Sequence, residues 1–175
     1  TNPFGTLLNT GDPMLFPRYL HFVTASVAVG GLFQALVHHL RPGAPDSEQR
    51  VQCGLSWFTR ATIVQIGIGI WFLFSLPKEK MILFLGGSAL PTFLLASGAV
   101  LGLVSLYFSF RQKLWPATGT ALGTIVIMVL VRDALRGAYL NPWFSPGDLT
   151  VMPEYAPMIL FLLSFAAGIG VIVYM

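Results

Sequence analysis

The sequence predicts an all-α fold, a polytopic membrane helix bundle with about five transmembrane helices. Three observations carry that expectation. Of 175 residues, 55% are hydrophobic and 10% charged, against about 25% charged in a water-soluble domain. Mean hydropathy is +0.74. The apolar residues also fall into five runs of roughly 20, the length that crosses a hydrocarbon core about 30 Å thick. A soluble core made of five such helices would leave too few polar residues to cover its surface.

The elements follow in order. Residues 1–16 are read as an extramembrane N-terminal segment, in which Pro3, Gly5, Gly11 and Pro13 interrupt any regular element. The bundle occupies residues 17–175. Its first helix, 17–40, opens on Pro17, whose missing N–H is harmless in a first turn. Arg41 to Arg50 read as a polar loop. The second helix, 56–76, stops at Pro77, and Lys78-Glu79-Lys80 make a turn. Met81 to Leu85 lie in the interface before a third helix, 88–110, with Pro91 near its start or kinking it. A fourth helix spans 116–139, and Asn141 to Pro153 form a Pro/Gly-rich loop before a fifth at 154–175. An odd number of spans places the termini on opposite sides.

Charge sets an expected orientation. The side with the first and third interhelical loops holds Arg41, Arg50, Arg60, Arg111 and Lys113 against Asp46 and Glu48; the other side balances its charges. The more basic side belongs in the cytoplasm, which places the N-terminus outside, in a bacterial inner membrane. The basic residues sit at helix ends rather than in one patch, so the pI of 9.3 does not indicate nucleic acid. Cys53 is single, which excludes an intramolecular disulfide and a Cys metal cluster. Gly98 with Gly102, and Gly119 with Gly123, allow close helix approach. Trp57, Trp71, Trp115 and Trp143 read as interface anchors.

Candidate chemistry centres on one histidine. All three histidines lie on the first helix. His21 is about 6 Å inside its start, and His38 and His39 lie about 25 Å further on, so a ligand pair must join His21 to another helix. Steps of three and four from His21 reach Ala25, Ala28, Gly31 or Leu32, Ala35 and His39. That smooth stripe suits either a flat macrocycle or a tight helix–helix contact in which His21 is hydrogen-bonded to a neighbour. Met158, near the start of the fifth helix, shares the depth of His21 if helices alternate. It is the candidate partner ligand, or else core filler. Arg18, Arg132 and Arg136 fall at the same level, and arginines there call for anions: haem propionates, a quinone pocket or lipid headgroups. Asp133 can pair with a neighbouring base. Gln34 and Gln65 are isolated polar residues suited to interhelical hydrogen bonds. There is no Walker loop, Ser/His/Asp order or HExxH motif, so hydrolytic and phosphoryl-transfer chemistry lack support and no catalytic residue is assigned.

The segment Phe16-Pro-Arg-Tyr-Leu-His-Phe-Val-Thr-Ala-Ser-Val-Ala-Val-Gly-Gly-Leu-Phe33 resembles the haem-ligating helix of cytochrome bd quinol oxidase subunit I, and Phe4 to Asn9 resemble the amphipathic lead-in to it. The resemblance covers roughly 30 residues. It implies that His21 is an axial ligand of a low-spin haem b near the outer face, with a methionine on a later helix as the other ligand. Two departures restrict it. The chain has no long hydrophilic quinol-binding loop between these helices and no glutamate within the expected spans. The resemblance therefore implies a redox anchor, not a complete oxidase.

The expected function is that of a membrane electron-transfer subunit of a respiratory complex, part of a quinol-linked oxidoreductase. His21 and Met158 would ligate haem b, and Arg18, Arg132 and Arg136 would neutralise it. Expected partners are membrane lipids, other membrane subunits, a cytochrome c or haem-bearing subunit, and quinol. The alternative is a haem-free scaffolding subunit of a larger complex. A small-solute transporter is weaker, because no inverted repeat is visible.

Overall fold

The computed structural model describes residues 11–41, 43, 46–141, 143–144 and 155–174. It is all-helical among these residues. The elements are α1 (Leu15–His39), α2 (Ser47–Phe74), α3 (Lys78–Ile82), α4 (Ala89–Phe110), α5 (Leu114–Leu140) and α6 (Tyr155–Tyr174). α1, α2, α4 and α5 are each long and apolar enough to cross a membrane. The chain is a multi-pass membrane protein.

The helix starts differ from expectation in instructive ways. α1 begins at Leu15, two residues before Pro17, which still falls in the first turn and is buried. The Asp12 carboxylate accepts a hydrogen bond from the Met14 backbone N–H at 2.9 Å just before it. α2 begins at Ser47, nine residues ahead of the expected start, so the end of the supposed polar loop, Ser47 to Arg50, is helix. Glu, Gln and Arg are good helix formers, and Glu48 sits where the helix dipole favours an acid. Polarity there marks a helix leaving the hydrocarbon, not a break in it. Lys78 to Ile82 likewise form a helix, not a turn, after Pro77.

The chain between α3 and α4 kinks at Leu83–Gly87. Gly86 has φ 114°, a conformation open chiefly to glycine. Thr92 holds the kink closed: its hydroxyl accepts from the Gly86 N–H at 3.0 Å and donates to the Leu83 carbonyl at 3.2 Å. Pro91 lies in the first turn of α4 and leaves the helix unbroken.

The core of the first unit, residues 1–139, is built on small residues. Ala28, Leu32 and Ala35 of α1 meet Leu55, Phe58 and Ala61 of α2, joined by Leu114 and Ala121 of α5. α1 and α2 run antiparallel and cross at backbone contact. A Cβ on Gly54 would stand 2.5 Å from the Gly31 carbonyl oxygen, and one on Gly31 would stand 2.8 Å from that of Gly54. α4 joins through hydroxyls: Thr59 and Ser109 bond side chain to side chain at 2.7 Å, and Ser105 donates to the Ala117 carbonyl of α5 at 3.1 Å. The large apolar side chains mostly face outward. That is unfavourable in water and ordinary in lipid, where packing and hydrogen bonds hold helices together.

Gly98 and Gly123 serve the α4–α5 contact, against Met128 and Leu101, and Gly102 lies near Thr124. Gly119 has no neighbour where a Cβ would stand. The second unit, residues 140–175, contains α6, which is apolar from Tyr155 to Val171. The expected fifth span and Met158 fall on it. The expected lead-in at Phe4 to Asn9, Asp148 in the expected loop, and Glu154 at the expected start of the fifth helix lie outside the described residues.

Candidate functional site

Two contacts set depth along the bundle. The Tyr139 hydroxyl lies 3.7 Å from the Met14 sulfur, so the C-terminal end of α5 meets the N-terminal end of α1. At the opposite end, the His39 and Trp115 rings meet edge to face at 6.0 Å. α1 and α5 therefore run antiparallel. His21 is seven residues from Met14 and Arg132 seven from Tyr139, about 10 Å of helix in each case. They share a level. Arg18 and Arg136 lie about one turn nearer the same end.

At that end Lys80 donates to the Ala138 carbonyl at 2.6 Å and sits 5.4 Å from the centre of the Tyr139 ring. It thereby satisfies one of the open carbonyls in the last turn of α5.

His21 is half-buried, and its ring leans on α2. The Cβ position of Gly69 is 3.5 Å from its Cε1 and 3.8 Å from its Nδ1. Nδ1 is buried and has no hydrogen-bond partner. Nε2 makes no hydrogen bond among the described residues either. The hydrogen-bonded histidine expected of a plain helix contact is thus not what is observed. One turn on, the Thr24 hydroxyl donates to the side-chain oxygen of Gln65, fixing the α1–α2 register beside the ring.

The smooth stripe has a different role from the macrocycle bed suggested as one of its two uses. Ala28, Gly31, Leu32 and Ala35 are buried, and the closest of their contacts are with α2. A flat group cannot lie on that face without separating the two helices. His21, at the open end of the stripe, remains available.

Arg18 is exposed and pairs with Asp12 at 3.9 Å, a contact of little energy in that setting. Arg132, Asp133 and Arg136 are exposed, with no ion-pair partner among the described residues. No contact joins His21 to Arg132 or Arg136; they share only depth. Met158 is 52% exposed on α6, in the separate second unit.

The sequence reading missed two features. A cleft of about 520 Å³ opens at the His39 end, lined by His38, His39, Glu48, Gln52 and Gln112. No cluster of three metal-ligating side chains occurs among the described residues. The second feature is Arg60, which the early start of α2 moves from a helix end into the helix body. It lines a shallow groove with Thr24, Val27, Trp57, Ala61 and Val64. Arg60 therefore leaves the charge tally used for orientation, and Trp57 is no helix-end anchor. An arginine at mid-helix costs about 2.5–3.5 kcal/mol on insertion scales. A count of nine preceding helical residues was the missing signal, hidden by their polarity.

Comparison with family models, with curated proteins and with solved structures finds no match to this chain.

Proposed function

We propose that this chain is a membrane-embedded electron-transfer subunit of a respiratory complex, holding haem b through His21 and exchanging electrons with quinol in a bacterial cytoplasmic membrane. The observation that carries the reading is an imidazole inside a membrane-spanning helix with neither nitrogen hydrogen-bonded among the described residues. A polar group left unpaired away from water costs about 1–3 kcal/mol; an axial bond to iron would give Nε2 a partner, while the cost at the buried Nδ1 would remain.

The residues fit one half of such a site. Nδ1 is sealed against α2, which leaves Nε2 as the ligating atom and Nδ1 as the N–H. Gly69 gives the ring its seat, and the Thr24–Gln65 bond holds α1 and α2 in register beside it. Arg132 at the same depth, with Arg18 and Arg136 a turn away, would neutralise carboxylates of the group. Met158 is the proposed second ligand. Haem, when bound, supplies a one-electron couple, and a methionine ligand raises its potential relative to a second histidine. A cytochrome c or haem-bearing subunit would exchange electrons with it.

The test is a pyridine haemochrome spectrum and Soret band on the purified complex, repeated with His21→Ala. A haem band that His21→Ala abolishes supports the proposal. Absence of haem, or a band unchanged in that variant, overturns it. The second reading, a haem-free scaffold, draws on Gly119, whose open face can receive a helix from another subunit. There, Gly119→Leu would break assembly while His21→Ala changed no spectrum.

A further inference from the structure

α2 carries a charge level with the middle of α1, a membrane-spanning helix. Arg60 lines its groove beside Val27, the middle residue of α1. Twelve residues separate Val27 from either end of that helix, about 18 Å at the helical rise. An extended arginine reaches about 7 Å from its Cα, so from this depth its guanidinium stays short of the headgroups. The register places Arg60 level with the middle of α1: Thr24 meets Gln65 on one side of this level, and Gly31 meets Gly54 and the Phe58 backbone on the other.

The described residues do not supply a counter-charge. Arg60 is exposed and has no ion-pair or hydrogen-bond partner among the described residues. None of Asp12, Asp46, Glu48, Glu79 and Asp133 pairs with it. Trp57, Arg60 and Val64 form one exposed strip of α2, at spacings of three and four, with Trp57 and Val64 each 52% exposed.

We propose that this strip docks a transmembrane helix of a second subunit, one that carries an ionised aspartate or glutamate at mid-bilayer depth opposite Arg60. Charge complementarity selects the occupant. A lipid phosphate lies beyond the reach of the side chain, and a water-soluble partner does not come to this depth. Two opposite charges that are each costly alone in hydrocarbon become mutually compensating when they meet there. The proposal does not rest on haem binding.

The test uses the full chain, donor-labelled, in phosphatidylcholine bilayers with an acceptor-labelled, leucine-rich single-span helix bearing one central glutamate. Energy transfer is expected to show association about tenfold tighter than for the same helix with central glutamine, or with the glutamate moved two turns toward one end. Arg60→Leu should reduce binding of the glutamate helix to the level of the controls, while Arg60→Lys retains most of it. Arg60→Leu makes the lipid-facing surface more apolar, so helix content by circular dichroism should be unchanged and loss of fold is separable from loss of charge. Equal binding of the glutamate and glutamine helices overturns the proposal, as does tight binding that survives Arg60→Leu.

Discussion

Adjacent glycines on α1 should respond oppositely to the same substitution. Gly30 has nothing within 4 Å of the position a Cβ would take, so Gly30→Ala adds a methyl to open space. The effect should be neutral or stabilising by up to about 1 kcal/mol, because alanine loses less backbone freedom in a helix. Gly31→Ala would put its methyl 2.8 Å from the Gly54 carbonyl oxygen and 2.9 Å from the Phe58 nitrogen. Those are backbone atoms and cannot turn aside. Gly54→Ala is tighter still, at 2.5 Å from the Gly31 oxygen. Restoring ordinary contact requires the helices to part by roughly 0.5–1 Å, which forfeits a quarter to a half of each dispersion contact along the crossing. Each substitution should therefore cost about 1–3 kcal/mol, Gly54→Ala the more. Once one methyl has opened the crossing, the second should cost less than it does alone, giving a coupling that signals shared geometry. Reversible unfolding in mixed detergent micelles measures all four variants. If Gly30→Ala and Gly31→Ala shift stability alike, or if the Gly31 and Gly54 effects simply add, the backbone-contact crossing is refuted.

Two further perturbations probe the ends of the site. Gly69→Ser puts a hydroxyl within reach of the orphaned His21 Nδ1 and should raise stability by about 0.5–1.5 kcal/mol, whereas Gly69→Ala, which meets the ring at ordinary contact distance, should change little; the same micelle titration separates them, and equal effects would remove the orphan from the account. Lys80→Met takes away the charged donor to the Ala138 carbonyl and should cost about 1.5–3 kcal/mol. Hydrogen exchange should show that loss as faster opening of the last turn of α5, with Lys80→Arg largely protected.

The apolar runs and their order were legible in the sequence because lipid demands about 20 apolar residues per span and little else. Helix ends were less legible. Ser47 to Arg50 read as loop because polarity was equated with irregular backbone, yet nothing prevents a helix from continuing into the headgroups. That error hid Arg60, which looked like an end-of-helix cation. Depth was readable for Arg132, which shares the level of His21, because alternating antiparallel helices fix depth from residue counts alone. Side-by-side position was not readable: the stripe on α1 is equally smooth to a macrocycle and to α2, and only Gly54, a glycine on another helix at matching depth, decides between them.

His21 and Arg60 lie on opposite sides of a structural divide in how this chain handles polarity. Where α1, α2, α4 and α5 meet, polar groups are paired: Thr24 with Gln65, Thr59 with Ser109, Ser105 with the Ala117 carbonyl. A bundle that satisfies its hydroxyls with this care would be expected to satisfy a histidine and an arginine too, since each is costlier to leave alone. Both are left alone, one at a nitrogen sealed from solvent and one on the outer surface at mid-depth. Random surface polarity would fall mostly at the helix ends, as the other cations apart from Arg132 do. Unpaired groups inside the spans are better accounted for by partners beyond the described residues, a ligand for Nε2 of the imidazole and a carboxylate for the Arg60 guanidinium. Because the two groups answer to different partners, the His21→Ala spectrum and the Arg60→Leu association measurement can fail independently. Failure of both would mean that the bundle tolerates unpaired polar groups in lipid, and the reasoning from satisfaction would then fail with them.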